Sequence, residues 1–318
     1  MGEYVPHDPV LVRDLLELLA LRQGAVVVDC TAGSGSATEA MLSRVLPGGA
    51  VVAIDRDPEA VAHCRARLAQ YGPSAQVLHT DFRELTQILP EAGYPLVDAV
   101  VMDLGMSSHQ LDAPGRGFAF RRDEELDMRM DPTRGESARE LLARADEREL
   151  SQILRDLGEE RHHRRVAAAI CRARQAAPIT RTAQLARIVS DAVPAGSKTK
   201  IHPATKSFMA LRIALNDELG ALSESLPAAT GALRPGGRLA VISYHSLEDR
   251  IVKQYMRTEA KGCVCPPRQP LCTCGKRPTL RELTRRPVRP SAAEVGLNPR
   301  ARSARLRVAE RLPEEEAD

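Results

Sequence analysis

Four short strand-like runs, each closed by an aspartate, constrain this chain more than any other feature: Ala25–Asp29, Ala50–Asp55, Gln76–Asp81 and Val97–Asp103. They are rich in valine and alanine, as strands buried on both faces are. Helix-compatible stretches at 36–46, 58–71 and 83–89 separate them, and Val10, Leu11, Leu15, Leu18 and Leu19 recur ahead of them at helical spacing. Buried strands alternating with helices predict an α/β fold with a parallel, doubly wound sheet.

After Asp103 the rhythm stops. Residues 109–135 are polar, rich in Arg and Asp, and read as a long loop. Helix starts follow at Ser137 and Asp146, each with a Glu three residues on, the pattern of a capping box, and Pro178 and Pro194 punctuate the region. The α/β pattern returns with Phe208, Leu211, Leu215, Leu219 and Leu222 on one helical face, then the turn Pro235-Gly236-Gly237 and a strand over 238–243. Residues 1–108 and 206–318 are therefore expected to form one domain, interrupted by an inserted, mainly helical domain at 109–205. The Pro- and Arg-rich end from 261 is expected to wrap the surface.

At 318 residues the chain is long enough for two domains. It has no apolar run near the roughly 18 residues of a membrane span, and its first residues lack a secretory leader pattern. Seven scattered cysteines, an odd number, suggest reduced thiols and a soluble, cytoplasmic protein. The net charge of +3 is uneven: residues 261–312 carry 13 Lys or Arg against three acids, whereas residues 1–260 sum to −3. A basic block on a near-neutral body suits a polyanion such as nucleic acid.

The segment Asp29-Cys30-Thr31-Ala32-Gly33-Ser34-Gly35-Ser36-Ala37-Thr38 runs from strand through a Gly-rich turn into a helix. Glycines there admit a ligand close to the backbone, and the N–H groups at the helix start favour anionic groups. Asp55 closes the second strand, where a carboxylate can accept both hydroxyls of an adenosine ribose. Asp81-Phe82 closes the third and suits an adenine amino group and ring face. A dinucleotide fingerprint wants Gly or Ala where Thr38 stands; acids ending the second and third strands are the usual layout for S-adenosylmethionine. Asp103 would face the reacting centre, accepting N–H bonds from a ring-conjugated amine and localising its lone pair toward a methyl sulfonium.

Several blocks carry a specific resemblance: Ala53-Ile54-Asp55-Arg56-Asp57-Pro58, Asp103-Leu104-Gly105-Met106-Ser107-Ser108, Arg116-Gly117-Phe118-Ala119-Phe120 with Leu126-Asp127-Met128-Arg129-Met130, and His202-Pro203-Ala204-Thr205-Lys206. Ile242-Ser243-Tyr244-His245-Ser246-Leu247-Glu248-Asp249 and Asn298-Pro299-Arg300-Ala301-Arg302 belong to the same set. Over residues 5–311 the chain resembles the RsmH (MraW) family of 16S rRNA cytosine-N4 methyltransferases. The resemblance implies a Rossmann-like class I SAM-dependent methyltransferase with an inserted all-helical domain, methylating N4 of a cytidine in the decoding region of 16S rRNA, within the small ribosomal subunit. Its cofactor contacts fall on Gly35, Ser36, Ala37, Asp55, Phe82, Asp103 and Gln110, to which the strand pattern adds Asp81. The family usually reads Gly-Gly-His where this chain has Gly35-Ser36-Ala37, so the side-chain role of that His is missing here.

Asp103 and His245 are the candidate catalytic residues, His245 as a base-positioning group just past the fifth strand. Phe118 and Phe120, among Arg116, Arg121 and Arg122, either stack on a splayed-out base or anchor the loop. Arg161, His162, His163, Arg164 and Arg165 either touch RNA phosphates or form a solvated helix face. No metal is assigned, but Cys263, Cys265, Cys272 and Cys274 are zinc candidates; their C-x-C spacing is tighter than the usual C-x₂-C, and plain reduced or redox-labile thiols are the alternative. An amino-methyltransferase acting on another nucleic acid or a small molecule, a nicotinamide dehydrogenase and a non-enzymatic RNA binder are the other readings, and a homodimer is left open.

Overall fold

The computed structural model describes residues 9–194, 201–266, 269 and 271–313. Its seven strands are β1 (Val26–Asp29), β2 (Ala50–Asp55), β3 (Ala75–His79), β4 (Val97–Asp103), β5 (Leu233–Ser243), β6 (Leu280–Glu282) and β7 (Arg305–Arg311). They form one sheet in the order β3-β2-β1-β4-β5-β7-β6, parallel through β5 and antiparallel at β7. The four aspartate-closed runs thus lie side by side and parallel. The third strand stops at His79, and Asp81 instead caps a 3-10 turn, Phe82–Glu84, by accepting from the Arg83 N–H.

The helices are α1 (Val12–Leu19), α2 (Ser36–Val45), α3 (Pro58–Leu68), α4 (Leu85–Glu91), α5 (Ser108–Asp112), α6 (Ala138–Arg144), α7 (Glu147–Asp156), α8 (His163–Ala176), α9 (Thr182–Ala192), α10 (Ala204–Asn216), α11 (Glu218–Ala232), α12 (Ser246–Glu259) and α13 (Ala292–Leu297). None is long and apolar enough to cross a membrane.

Successive strand residues feed two separate cores, as the period of two requires. Val27, Val51 and Ala53 pack with Leu15, Met41, Leu42 and Leu68 on one face. Val28, Val52 and Ile54 pack with Leu85, Leu89, Leu222, Leu226 and Val252 on the other. Both faces are covered by helices, which is why these strands read as nearly unbroken apolar runs.

The chain folds as two compact units, one holding residues 9–105 and 219–313 and the other residues 106–218. The second boundary falls at Glu218 rather than at residue 205. The single helical face from Phe208 to Leu222 is in fact two helices, parted where Asp217 takes a left-handed conformation (φ 43°, ψ 45°). Phe208 and Leu211 are buried in the core of the helical unit, with Leu142, Leu150, Leu154, Val166 and Leu185. Leu222 belongs to the sheet unit. Helix starts are as read: Ser137 and Glu140 make a reciprocal capping box. Asp146 accepts from the Glu149 N–H, whereas the Glu149 carboxylate pairs with Arg144.

The polar stretch after α5 is an irregular loop with defined anchors. Asn216 accepts from the Met130 N–H (2.7 Å) and donates to the Met128 carbonyl (2.8 Å). Arg116, buried, donates to the Met130 carbonyl and lies over the Phe118 ring. Gly117 has φ +72°, and a Cβ there would collide with the Glu125 carbonyl, so only glycine fits.

The expectation that everything after 261 wraps the surface fails at β7. Arg305–Arg311 lies inside the sheet between β5 and β6, burying Leu306, Val308 and Ala309. The turn Pro235-Gly236-Gly237 does not precede β5 but bulges within it: Leu233 pairs with Val97, and Arg238 with Ala99.

Candidate active site at the carboxyl ends of the strands

In an open parallel sheet the loops beyond the carboxyl ends of the strands form the ligand crevice. Here those ends carry Asp29, Asp55 and Asp103, with Asp81 just past β3, and hydrogen bonds fasten the first three to the Gly-rich turn. Asp29 is buried and accepts from the Thr31 N–H (3.2 Å) and the Thr38 hydroxyl (2.6 Å). Thr38, fully buried on the first turn of α2, is thus needed for its hydroxyl where a dinucleotide turn would use glycine or alanine for close packing. Gly35 precedes α2 at φ +76°, and a Cβ there would come to 3.1 Å of the Cys64 sulfur. Ser36 and Ala37, both half-buried, begin the helix, with the Ser36 hydroxyl 2.9 Å from that of Ser34.

The Gly-rich turn is fastened to β2. Gly33 donates its N–H to Asp55 Oδ2 (2.8 Å), and Asp57 donates to Oδ1 (2.9 Å). Burial pushes the Asp55 carboxyl up to about 6, against the pull of those two N–H groups. A carboxylate has about four acceptor sites, so each oxygen of Asp55 retains capacity for a ligand hydroxyl. Asp81 lies 3.9 Å from Arg56, and the half-buried Phe82 ring packs against the core beneath. Cys30, though adjacent in sequence, is buried, and that burial raises its thiol well above its ordinary value, which suits packing rather than nucleophilic chemistry.

Asp103 is held from two sides. Its N–H donates to the Thr31 hydroxyl (2.7 Å), which belongs to the Gly-rich turn, and its Oδ1 accepts from the Tyr244 hydroxyl (2.9 Å) at the end of β5. Burial pushes the Asp103 carboxyl up to about 7; the Tyr244 bond pulls it down, and the carboxylates of Asp29 and Glu248 push it up. The Tyr244 phenol is itself raised well above its ordinary value, by burial and then by Asp103, so it remains a donor. Gly105, at φ +94°, backs the Tyr244 ring: a Cβ there would lie 3.4 Å from it.

His245 caps α12. Its Nδ1 accepts from the Glu248 N–H (3.4 Å), while Glu248 Oε2 accepts from the N–H groups of His245 (3.2 Å) and Tyr244 (2.8 Å). Its Nε2 lies 3.1 Å from Glu248 Oε1. Through Nδ1 the ring therefore holds the start of α12, next to Tyr244, while Nε2 is buried without a hydrogen bond among the described residues.

Seven of the candidate residues, Gly35, Ser36, Ala37, Asp55, Asp81, Phe82 and Asp103, lie together at the strand ends of the sheet unit. Gln110 is in the helical unit, buried, where its side chain accepts from the Ser107 N–H (3.1 Å) and completes the capping box of α5. Phe118 is buried in the helical core, and Phe120 packs on His202 and Phe208 at ring-centre distances of 4.6 and 5.0 Å. This packing is what a loop anchor makes. His163 Nδ1 meets the Ser151 hydroxyl at 2.7 Å, while Arg161, Arg164 and Arg165 are exposed. The four late cysteines converge on the α12–β6 connection. The sequence alone does not mark Thr31, Thr38 and the Tyr244 hydroxyl as partners of the acids. The hint was in the turn, where both threonines flank the glycines.

The sequence profile of the MraW methylase family matches residues 4–312. The chain is 48% identical over 307 residues to ribosomal RNA small subunit methyltransferase H of Trichlorobacter lovleyi, covering 96% of this chain and 98% of that one. It is likewise 48% identical to the protein of the same name from Geobacter sulfurreducens, over 96% of this chain and 99% of the other. The Heliobacterium modesticaldum protein of that name is 46% identical, with 96% and 98% covered. With the match running through both units and every strand-end acid, the chain belongs to the MraW methylase family.

Proposed function

We propose that this methyltransferase uses S-adenosylmethionine to methylate N4 of a cytidine in the decoding region of 16S rRNA, acting in the cytoplasm on the small ribosomal subunit. The observation that carries the reading is Asp103 at the end of β4, half-buried, its backbone N–H held by Thr31 and its carboxylate by Tyr244. A cytosine amino group is a weak nucleophile because its lone pair is delocalised into the ring. Asp103 accepts an N–H of that amine, and holding it in line favours attack over free diffusion. The cofactor supplies an activated methyl on its sulfonium.

The strand ends suit that cofactor. Asp55 presents a half-buried carboxylate, already oriented by two backbone donors, to the ribose hydroxyls. Gly35, Ser36 and Ala37 offer backbone at the start of α2, and Asp81 with Phe82 fits the adenine edge and face. Gln110 is retained as a contact on the strength of the resemblance. His245 acts as a positioning residue: by capping α12 it fixes Tyr244, which fixes Asp103. The exposed Arg161, Arg164 and Arg165 suit RNA phosphates, and the helical domain is the proposed substrate-recognition element.

The test is methyl transfer from labelled S-adenosylmethionine to small ribosomal subunits lacking their native base methylations, with mass spectrometry of the digested nucleosides. N4-methylcytidine is the expected product. Cofactor binding without any methylcytidine would overturn the substrate. Asp103→Asn is expected to lower turnover by at least about 100-fold, the scale of losing one aligned acceptor or donor, with RNA binding changed far less; unchanged turnover would remove Asp103 from the mechanism.

A further inference from the structure

The connection from α12 to β6 is the part of the sheet unit least explained by packing. Its base is tied: the Glu259 carbonyl accepts from the Thr279 N–H (2.8 Å), and the Glu259 carboxylate accepts from the Thr279 hydroxyl (2.6 Å) and from Lys276 (3.0 Å). Beyond that base the segment has neither helix nor strand among its described residues, and its apolar side chains face solvent, Leu271 at 77% exposure and Val264 at 52%. Such a segment has no core with which to offset the entropy of ordering it.

What converges there is sulfur. Cys263, Cys265, Cys272 and Cys274 place their Sγ atoms all within 4.8 Å of one another. The separations are 3.4 Å for Cys272–Cys263, 3.6 Å for Cys272–Cys274, 3.8 Å for Cys274–Cys263 and 3.9 Å for Cys265–Cys272. Four sulfurs each about 2.3 Å from a central zinc form a tetrahedron with edges of roughly 3.8 Å. A disulfide would need a sulfur pair at about 2.05 Å, and all four thiols are free. Two backbone donors also point at sulfur: Val264 N–H at Cys274 (3.5 Å) and Cys265 N–H at Cys263 (3.4 Å). Such N–H groups offset the negative charge gathered on thiolates around a metal.

We propose that Cys263, Cys265, Cys272 and Cys274 bind one zinc ion in a closed tetrahedral site that holds the α12–β6 connection in shape. The set of four soft ligands leaves no open position, so the site is structural; each thiol passes its proton to solvent on coordination. The tight C-x-C spacing, which leaves the pattern ambiguous in the sequence, is no obstacle: Cys272 and Cys274, two residues apart, bring their sulfurs to 3.6 Å.

The experiment uses the full-length protein, purified under reducing conditions with zinc supplied, dialysed, and analysed for metal by plasma mass spectrometry. About one zinc per chain is expected, falling below about a tenth in Cys263→Ser/Cys272→Ser. Cys171→Ser, in the helical unit, is expected to retain the full amount. Cobalt(II) in place of zinc is expected to give the intense visible bands and thiolate charge-transfer absorption of a tetrahedral sulfur site, lost in the double variant. Unchanged far-ultraviolet circular dichroism of that variant separates loss of metal from loss of fold. Absence of zinc from the wild type, a weak six-coordinate cobalt spectrum, iron in place of zinc, or disulfides among these cysteines in the unreduced protein would each overturn the proposal.

Discussion

Tyr244 and Asp103 are 141 positions apart in sequence and 2.9 Å apart in space, and their bond opposes the upward shift that burial imposes on the carboxyl. Burial places Asp103 near 7, with Tyr244 opposing that rise. The ionised carboxylate is the stronger N–H acceptor, so single-turnover methylation is expected to rise with pH through about 7. Hydrogen bonds to charged groups contribute about 1.5–3 kcal/mol, equivalent to about one to two pKa units. Tyr244→Phe should therefore move the midpoint upward by that amount and slow the reaction roughly 5- to 50-fold at pH 7, with the rate recovering at high pH. A uniform loss at every pH would mean that Tyr244 positions the substrate rather than tuning Asp103. The same raised carboxyls act on stability. Asp55 and Asp103 hold protons in the folded state, to about 6 and about 7, that the unfolded chain has already released. Their contribution is complete below the ordinary carboxylate range and is lost as pH rises through 6 to 7. The melting temperature of the ligand-free protein should fall across that window, and Asp103→Asn should flatten the fall.

At the scale of elements, β7 tests how far the sheet depends on the end of the chain. Leu306 and Val308 are fully buried, and β7 pairs with β5 over Arg305–Glu310. Leu306→Ala is expected to cost about 2–5 kcal/mol of unfolding free energy in a denaturant titration, far more than an exposed surface strand would lose. A change under about 0.5 kcal/mol would mean that β7 is peripheral. The period-two alternation of Arg305-Leu306-Arg307-Val308 was present in the sequence, but its arginines resembled the solvated tail around it. Arg305 and Arg307 instead pair with Asp249 at 3.0 and 2.7 Å, which is how a charged residue can stand in an inner strand. The parallel strands and their terminal acids were legible because burial on both faces and the position of each aspartate are local properties. Thr31 on Asp103 and Thr38 on Asp29 were not, because hydrogen-bond partners depend on how the turn closes. The helix break at Asp217 was hidden for the opposite reason: the apolar period continues through it while the residues on either side enter different cores.

Over the whole molecule, the basic block at 261–312 is less available than its count suggests. Arg281 pairs with Glu310, Arg305 and Arg307 with Asp249, and Lys276 with Glu259. These four of the thirteen cations are engaged within the sheet unit. Arg285, Arg286 and Arg289, between β6 and α13, are exposed and close together in sequence, so they are the natural candidates for phosphate contacts. Each phosphate contact releases counterions, and replacing one Lys or Arg that makes such a contact lowers the slope of log K against log salt by about one. Arg285→Gln/Arg286→Gln/Arg289→Gln should therefore weaken binding to the small subunit at low salt and reduce that slope by up to about three. The wild type and variant should converge in affinity as salt rises, with cofactor affinity unchanged because Asp55 and the Gly-rich turn are untouched. Equal slopes for the two proteins would transfer the electrostatic contact to other basic residues, with the exposed arginines of α8 and the turn before it the next to test.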